Sequence, residues 1–220
     1  GDSVLREGVV IRAPQAGVLS SLGRSVVAVH QRPKVAILSG GDELVEPDGD
    51  ITGGRIVSSN SYALSALCLE VGAEPVYLGI ARDQPDDIAR RLRAGLQADC
   101  IVSSAGVSVG DRDYMREVLE ELGCRLDFWG VHMKPGYPLV FGRFPERGQP
   151  LVFGLPGNPV SAMVTFEQFV RPVLRKMSGH QAWFRTRVRA RLCHELEKKA
   201  GRMHFVRVQL AYEGESLVAS

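Results

Sequence analysis

Leu155-Pro156-Gly157-Asn158-Pro159-Val160-Ser161 is the stretch from which the rest of the chain can be read. An apolar run, Leu151-Val152-Phe153, precedes it and predicts a buried strand. After it, Met163, Phe166, Val170, Val173, Leu174 and Met177 recur at helical spacing. Asn158 suits an N-cap, because its short side chain can accept from first-turn N–H groups. Pro159 suits the first helical position, where a missing N–H costs nothing. Arg175 and Lys176 fall in the last turn, where cations oppose the negative end of the helix dipole, and Gly179 follows as a stop. A strand therefore hands over to a helix through a rigid turn. Free N–H groups and the Ser161 hydroxyl at such a turn can hold an anion. The same features also make an ordinary capped core helix, and this stretch alone does not choose between the two.

Upstream the pattern is regular from Pro33. Lys34-Val35-Ala36-Ile37-Leu38 is an apolar run of the kind covered on both faces, and it ends in Ser39-Gly40-Gly41-Asp42-Glu43-Leu44. A polar loop over 46–60 exceeds the usual connection length, which favours function or mobility. Leu64, Leu67, Cys68 and Val71 then predict a helix stopped by Gly72. Residues 75–80 predict a strand ending at Ala81-Arg82-Asp83. Asp86 is expected to cap a helix with Ile88, Leu92 and Leu96 on its inner face. Residues 99–103 predict a third strand, running into a loop over 104–113. Met115, Val118, Leu119 and Leu122 predict a third helix, stopped by Gly123.

Strands alternating with helices in this way predict an α/β fold with a mainly parallel sheet and right-handed crossovers. In such sheets ligands bind beyond the carboxyl ends of the strands. That rule selects residues 39–44, Asp83, residues 104–113 and residues 155–161, the stretches richest in Gly, Asp, Ser and Asn.

The ends differ from this middle. Within residues 1–32, Val9-Val10-Ile11 and residues 25–30 are strand-like, and residues 14–22 suggest a short helix stopped by Gly23. This segment is too small to bury a core of its own. The chain opens at Gly1 without Met, and its first residues read as the middle of something longer. After Phe128-Trp129 comes Val131-His132-Met133-Lys134-Pro135-Gly136-Tyr137-Pro138, a turn whose prolines hold Lys134 in a defined place, and then strand-like Leu139-Val140-Phe141. Beyond Gly179, residues 186–192 and 204–210 alternate and residues 216–219 suggest another strand, the start of a β domain.

Composition excludes several classes. Of 220 residues, 45% are hydrophobic and 24% charged, an ordinary soluble balance, and a net charge of +2 provides no basic field for nucleic acid. Cys68, Cys100, Cys124 and Cys193 form no C-x-x-C pair, which argues against a zinc site or disulfide framework and for a reducing cytoplasm. No apolar run is long enough to span a membrane. There is no Walker A pattern, no G-x-G-x-x-G after a strand and no G-x-S-x-G elbow. The histidines, at 30, 132, 180, 194 and 204, lack metal-ligand spacing, and His132 beside the Lys134 turn reads as structural.

What remains is oxygen and anion chemistry. Asp42 and Glu43 can hold Mg2+ beside a substrate phosphate, or merely cap a solvated turn. Of Asp111 and Asp113, one is expected to cap the third helix and the other to face the cleft. The loop from Gly106 to Gly110, with the hydroxyls of Ser104 and Ser108, can receive an anion. Lys134 on its rigid turn is a point charge suited to an oxyanion. Together these groups suggest a phosphorylated ligand or an inorganic oxyanion.

At these residues the chain resembles the MoeA/gephyrin E-domain family, whose members are molybdopterin molybdenumtransferases. The resemblance is carried, in order, by Ser39-Gly40-Gly41-Asp42-Glu43-Leu44, Gly79-Ile80-Ala81-Arg82-Asp83, Ala105-Gly106-Val107-Ser108-Val109-Gly110 with Asp113-Tyr114, Met133-Lys134-Pro135-Gly136 and the Leu155–Ser161 stretch. It covers about residues 5–210. It implies a three-layer αβα sandwich with a mainly parallel sheet over 33–179, the molybdenum-cofactor domain. Residues 1–32 are implied to end a preceding domain or form a linker. Residues 180–220 are implied to begin a C-terminal β-barrel domain, with Arg202, Phe205 and Arg207 in a G-R-x-x-F-x-R pattern.

The implied reaction inserts molybdate into adenylylated molybdopterin with release of AMP and depends on Mg2+. Carried over by motif, the catalytic residues are Glu43, Asp83, Asp113 and Lys134. Substrate-binding residues are Gly41, Asp42, Ser104, Gly106, Ser108, Gly110, Pro135, Gly136, Pro156, Gly157, Asn158, Pro159 and Ser161, and the metal ligands are Asp42, Glu43 and Asp113. A cytoplasmic location, a homodimer of the full-length protein and the molybdopterin adenylyltransferase as a partner are implied too. The chain departs from the family at Ala105, where Gly is usual, at Gly130, where a basic residue can occur, and at Tyr137, where Lys or Leu is common. The adenylyltransferase itself shares the central fold, but the flanks at 1–32 and 180–220 argue against that reading. A gephyrin-type scaffold binding receptor peptides is the other alternative; the enzyme is favoured.

Overall fold

The computed structural model describes residues 2–104, 114–146, 148 and 150–220. In chain order its elements are α1 (Ala13–Ser21), β1 (Lys34–Gly40), β2 (Leu44–Val45), β3 (Ile56–Val57), α2 (Ser59–Glu70), β4 (Glu74–Ala81), α3 (Pro85–Gly95), β5 (Cys100–Ser104) and α4 (Tyr114–Glu121). There follow β6 (Arg125–Trp129), β7 (Met133–Lys134), β8 (Val140–Arg143), β9 (Leu151–Leu155), α5 (Pro159–Thr165), α6 (Arg171–Met177), β10 (Arg191–Leu192), β11 (Met203–His204), β12 (Leu210–Glu213) and β13 (Ser216–Ala219).

The central sheet has the order β4-β1-β5-β9-β8-β6. β4, β1, β5 and β9 run parallel, and β8 is antiparallel to both β9 and β6. The apolar run of β1 is explained by burial on both faces. Val35 and Ile37 join one cluster with Leu64 of α2 and Leu174 of α6. Ala36 and Leu38 join another with Leu92 of α3 and Leu119 of α4. All four β1 side chains are inaccessible, so the strand needs apolar residues at every position rather than at alternate ones. Helices on both faces make the three-layer αβα sandwich expected from the sequence. Cys68, Cys100 and Cys124 serve these cores as small apolar side chains. Burial pushes the thiol of Cys68 up to about 12 and that of Cys124 to about 11, and holds Cys100 well above the usual range.

Two helix details differ from expectation. Gln84, not Asp86, is the N-cap of α3, because Pro85 occupies the first helical position and moves the start two residues earlier. The helix from Pro159 is not uniform: one π turn, Phe166–Val170, separates α5 from α6. Pro172 follows at once and cannot donate to the carbonyl four residues back, which a wider turn accommodates. α6 ends with His180 N donating to Arg175 O and Gly179 N to Lys176 O, both at 3.0 Å. These bonds satisfy carbonyls that a helix end otherwise leaves open.

At the ends, β10, β13 and β12 form a small sheet, consistent with the start of a β domain. Of the alternating stretch 186–192, only Arg191–Leu192 pairs. Residues 9–11 and 25–30 belong to no strand, since period-2 patterning needs a neighbour to pair with. α1 buries none of its residues. A groove of about 1010 Å3 lies here, lined by Val9, Ile11, Leu19, Val26, His30 and Ser178 among others. Ser178 and His30 place it at the amino ends of the parallel strands. Among the described residues no helix is long and apolar enough to cross a membrane.

Candidate functional site

The carboxyl ends of β4, β1, β5 and β9 form one rim. Parallel neighbours lie about 4.8 Å apart, so the rim from the end of β4 to the end of β9 is roughly 14 Å wide. The connections after β1 and β9 lead to helices on one face, those after β4 and β5 to helices on the other. Adjacent loops therefore part and leave a crevice.

The floor of the crevice is a set of buried hydroxyls. Ser58 Oγ donates to Ser39 Oγ at 2.9 Å, and its contact with Ser61 Oγ is 3.1 Å. Ser39 Oγ is 3.4 Å from Ser104 Oγ, which links the ends of β1 and β5. Asn60, in the first turn of α2, donates from Nδ2 to Gly157 O at 2.7 Å. Asn158 Oδ1 accepts from Ser161 N at 3.1 Å and from Ser161 Oγ at 3.3 Å, the cap expected from the sequence. The starts of α2 and α5 are thus tied together at the rim. Ser58, Ser61 and Asn60 escaped the sequence reading. The signal was the polar run Ser58-Ser59-Asn60-Ser61, longer than one helix cap requires.

The acidic groups lie at the other end of the rim. Gly41 N donates to Ala81 O at 3.1 Å, which joins the loops after β1 and β4. Asp42 Oδ1 accepts from Asp83 N at 3.2 Å. Arg82 Nη1 donates to Asp42 O at 3.1 Å and to Leu44 O at 3.3 Å. Asp42, Glu43 and Asp83 are exposed. Gly41 is buried with φ +141, and a Cβ there would lie 2.5 Å from Glu43 Oε2, so the missing side chain gives the Glu43 carboxylate its place. The long loop beyond Glu43 is held down: Tyr62 and Tyr77 both donate to the Glu46 carboxylate, at 3.2 and 2.9 Å. β2 and β3 pair across its ends.

Asp87 also anchors this corner. Its Oδ2 accepts from Arg82 N at 2.9 Å, and its carboxylate pairs with Arg90 and Arg91. The Arg82 N–H, helped by the two guanidinium groups and opposed by burial, holds the carboxyl down to about 2. The ionised form is thus favoured in the folded chain. Its contribution, at most about 2 kcal/mol, is complete above about pH 4 and is lost as pH falls from about 4 towards 2. The stability difference between wild type and Asp87→Asn, measured by urea unfolding, is expected to shrink over that window. A difference independent of pH would show that ionised Asp87 has no such role.

Lys134 stands apart from the strand ends. β7 pairs with β11, with Met203 opposite Met133 and His204 opposite Lys134. Met203 N donates to His132 O and Phe205 N to Lys134 O, both at 2.8 Å. The Lys134-Pro135 peptide is cis. Lys134 is exposed, and the Arg202 guanidinium lies 5.0 Å over the Tyr137 ring. Gly136 joins this turn to the rim helix: it is buried with φ +107, and a Cβ would lie 2.5 Å from Thr165 Cγ2. Gly136→Ala is expected to cost about 1–3 kcal/mol, because both backbone and neighbour must yield. Chemical denaturation measures this; a cost within error of zero would mean that the turn does not pack against α5 in solution.

The structure therefore gathers Gly41, Asp42, Glu43 and Asp83 at one end of the rim. It gathers Ser104, Pro156, Gly157, Asn158, Pro159 and Ser161 at the other. Lys134, Pro135 and Gly136 occupy a separate turn against the body of the rim helix. Gly106, Ser108, Gly110 and Asp113 lie outside the described residues, as does Ala105. Among the described residues no three His, Cys, Asp or Glu side chains cluster as a ready-made metal cage.

The family described as "Probable molybdopterin binding domain" matches residues 36–176. The chain belongs to this family. The molybdopterin-binding match spans the sheet, both helical layers and the rim. Among curated relatives, the molybdopterin molybdenumtransferase of Nostoc sp. is 40% identical over 208 residues, covering 94% of this chain and 48% of the relative. That of Haemophilus influenzae is 36% identical over 209 residues, covering 94% and 51%. The solved structure of a molybdopterin biosynthesis moeA protein from Pyrococcus horikoshii superposes with a TM-score of 0.80 at 30% identity, covering 100% of this chain and 52% of that one. The chain spans about half the length of the curated relatives it matches. The resemblance to molybdopterin molybdenumtransferases expected from the ordered motifs is thus found across nearly the whole chain.

Proposed function

We propose that the chain is the substrate-binding core of a molybdopterin molybdenumtransferase, acting in molybdenum cofactor biosynthesis. It would insert molybdate into adenylylated molybdopterin with release of AMP. The observation that carries this reading is 40% identity to the Nostoc enzyme over 208 residues that include the entire rim. The rim suits such a ligand chemically. N–H groups and hydroxyls around Asn158 and Ser161 offer donors to a phosphate. Lys134 offers a compact charge to a tetrahedral oxyanion. Glu43 and Asp83 supply hard oxygen donors at the opposite end. Mg2+ fits that donor set, because it takes one or two carboxylates and completes its shell with phosphate oxygens and water. Glu43 would hold it, and the ion would supply a hard positive charge at that end of the rim.

The same proposal takes residues 1–32 as the end of a preceding domain or linker, residues 33–179 as the cofactor domain and residues 180–220 as the start of a β-barrel domain. It includes a cytoplasmic location, a homodimer in the full-length protein and the molybdopterin adenylyltransferase as the source of substrate. The test is an exchange. This chain replaces the matching 208-residue stretch of the Nostoc enzyme, and AMP release and molybdenum incorporation are measured. Turnover by a folded chimera is expected. A folded chimera that binds adenylylated molybdopterin nowhere on the exchanged part would refute the reading.

A further inference from the structure

We propose that Asp42 and Asp87 are positioning residues that together present Asp83, and that Asp42 acts through this clamp rather than as a metal ligand. The proposal rests on the reading of Asp83 as a functional carboxylate. β4 is an edge strand, so only one side of its end has a neighbouring strand to steady it. It also carries an extra residue: the register with β1 steps from Ile37 opposite Tyr77 to Ser39 opposite Ile80. Such a bulge bends a strand and re-aims the residues beyond it. Arg91 of α3 fixes the bulge by donating to Leu78 O. The turn at the strand's end, Arg82-Asp83-Gln84, then needs its own restraints.

Two carboxylates supply them from opposite sides. Asp87, from the following helix, takes the Arg82 N–H at 2.9 Å. Asp42, from the loop after the neighbouring strand, takes the next N–H, that of Asp83, at 3.2 Å. Arg82 returns a donor to Asp42 O and Leu44 O, so the two loops interlock through both backbone and side chain. Asp83 itself is left exposed, with no side-chain hydrogen bond among the described residues. A carboxylate with a pinned backbone and a free side chain is poised for an outside ligand. Small displacements at such a group carry large penalties, which gives the clamp functional weight.

Substitutions at Asp42 separate clamp from ligand. Asp42→Ala removes the acceptor for the Asp83 N–H, whereas Asp42→Asn keeps an acceptor oxygen and loses the charge. With adenylylated molybdopterin titrated into the 220-residue chain at varied Mg2+, Asp42→Ala and Asp87→Ala are expected to bind about tenfold more weakly. Asp42→Asn should recover most of that loss with the Mg2+ midpoint unmoved. Amide exchange at Arg82 and Asp83 should quicken in both alanine variants and not in Asp42→Asn. If Asp42→Asn loses as much as Asp42→Ala and shifts the Mg2+ midpoint, Asp42 is a metal ligand and the clamp is wrong. Wild-type affinity in Asp42→Ala also overturns it. Wild-type affinity in Asp83→Ala, or no binding by the unmodified chain, instead refutes the underlying reading of the site.

Discussion

Phe166→Ala is expected to destabilise the chain by about 3–5 kcal/mol, a large part of the stability of an ordinary domain. Phe166 is wholly buried at the start of the π turn, among the side chains that join the rim helix to the sheet. Truncation loses the transfer energy of the ring and leaves a cavity. Collapse is opposed by the rigid sheet on one side and by Pro172 in the next turn on the other. The effect should reach function, because the same helical run is capped by Asn158 and packs on Gly136. Urea unfolding followed by circular dichroism measures it. A loss below about 1 kcal/mol would mean that this helix is not docked as described. Phe166→Leu, which keeps much of the volume, should cost clearly less.

Lys134→Ala is expected to give the largest change in ligand affinity among the exposed positions. Strand pairing on one side and Gly136 packing on the other fix the backbone of this turn, so the charge is delivered at little ordering cost. Molybdate binding should weaken, and the deficit should narrow as salt rises, since the Debye length falls to about 10 Å at 0.1 M and about 3 Å at 1 M. Lys134→Arg should restore only part, because a planar fork replaces a compact ammonium. Folding stability should hardly move for an exposed lysine. Molybdate titration of wild type and both variants at two salt concentrations checks this. Equal affinities for wild type and Lys134→Ala would remove the lysine from the site.

The sandwich was legible because parallel strands buried on both faces must be apolar throughout. Val35-Ala36-Ile37-Leu38 has no other economical reading, and the helices between strands repeat on the expected spacing. The strand-end loops followed from topology, and Asn158 from local chemistry. What stayed hidden depends on partners distant in sequence. Asp42 reads as half of an acidic pair, and its acceptance of the Asp83 N–H, 41 residues on, has no local signal. Asp87 reads as an ordinary acidic first-turn residue until Arg82 N meets it. The serines at 39, 58, 61 and 104 look like separate hydroxyls; Ser58 joins Ser61 to Ser39, and Ser104 is added because β1 and β5 are neighbours. The π turn before Pro172 keeps the helical apolar pattern, so periodicity could not reveal it. Residues 9–11 and 25–30 have strand-like patterning without a paired neighbour.

The central claim is that the ligand lies along the carboxyl ends of β4, β1, β5 and β9. Titration of adenylylated molybdopterin into the isotopically labelled chain, monitored through amide resonances, tests it most directly. The account predicts that shifts concentrate at residues 41–44, at Arg82 and Asp83, and at residues 157–161, with a second group at Lys134 and Gly136. Shifts confined to the groove around Val9, Leu19, Val26 and His30, at the opposite ends of the strands, would contradict it.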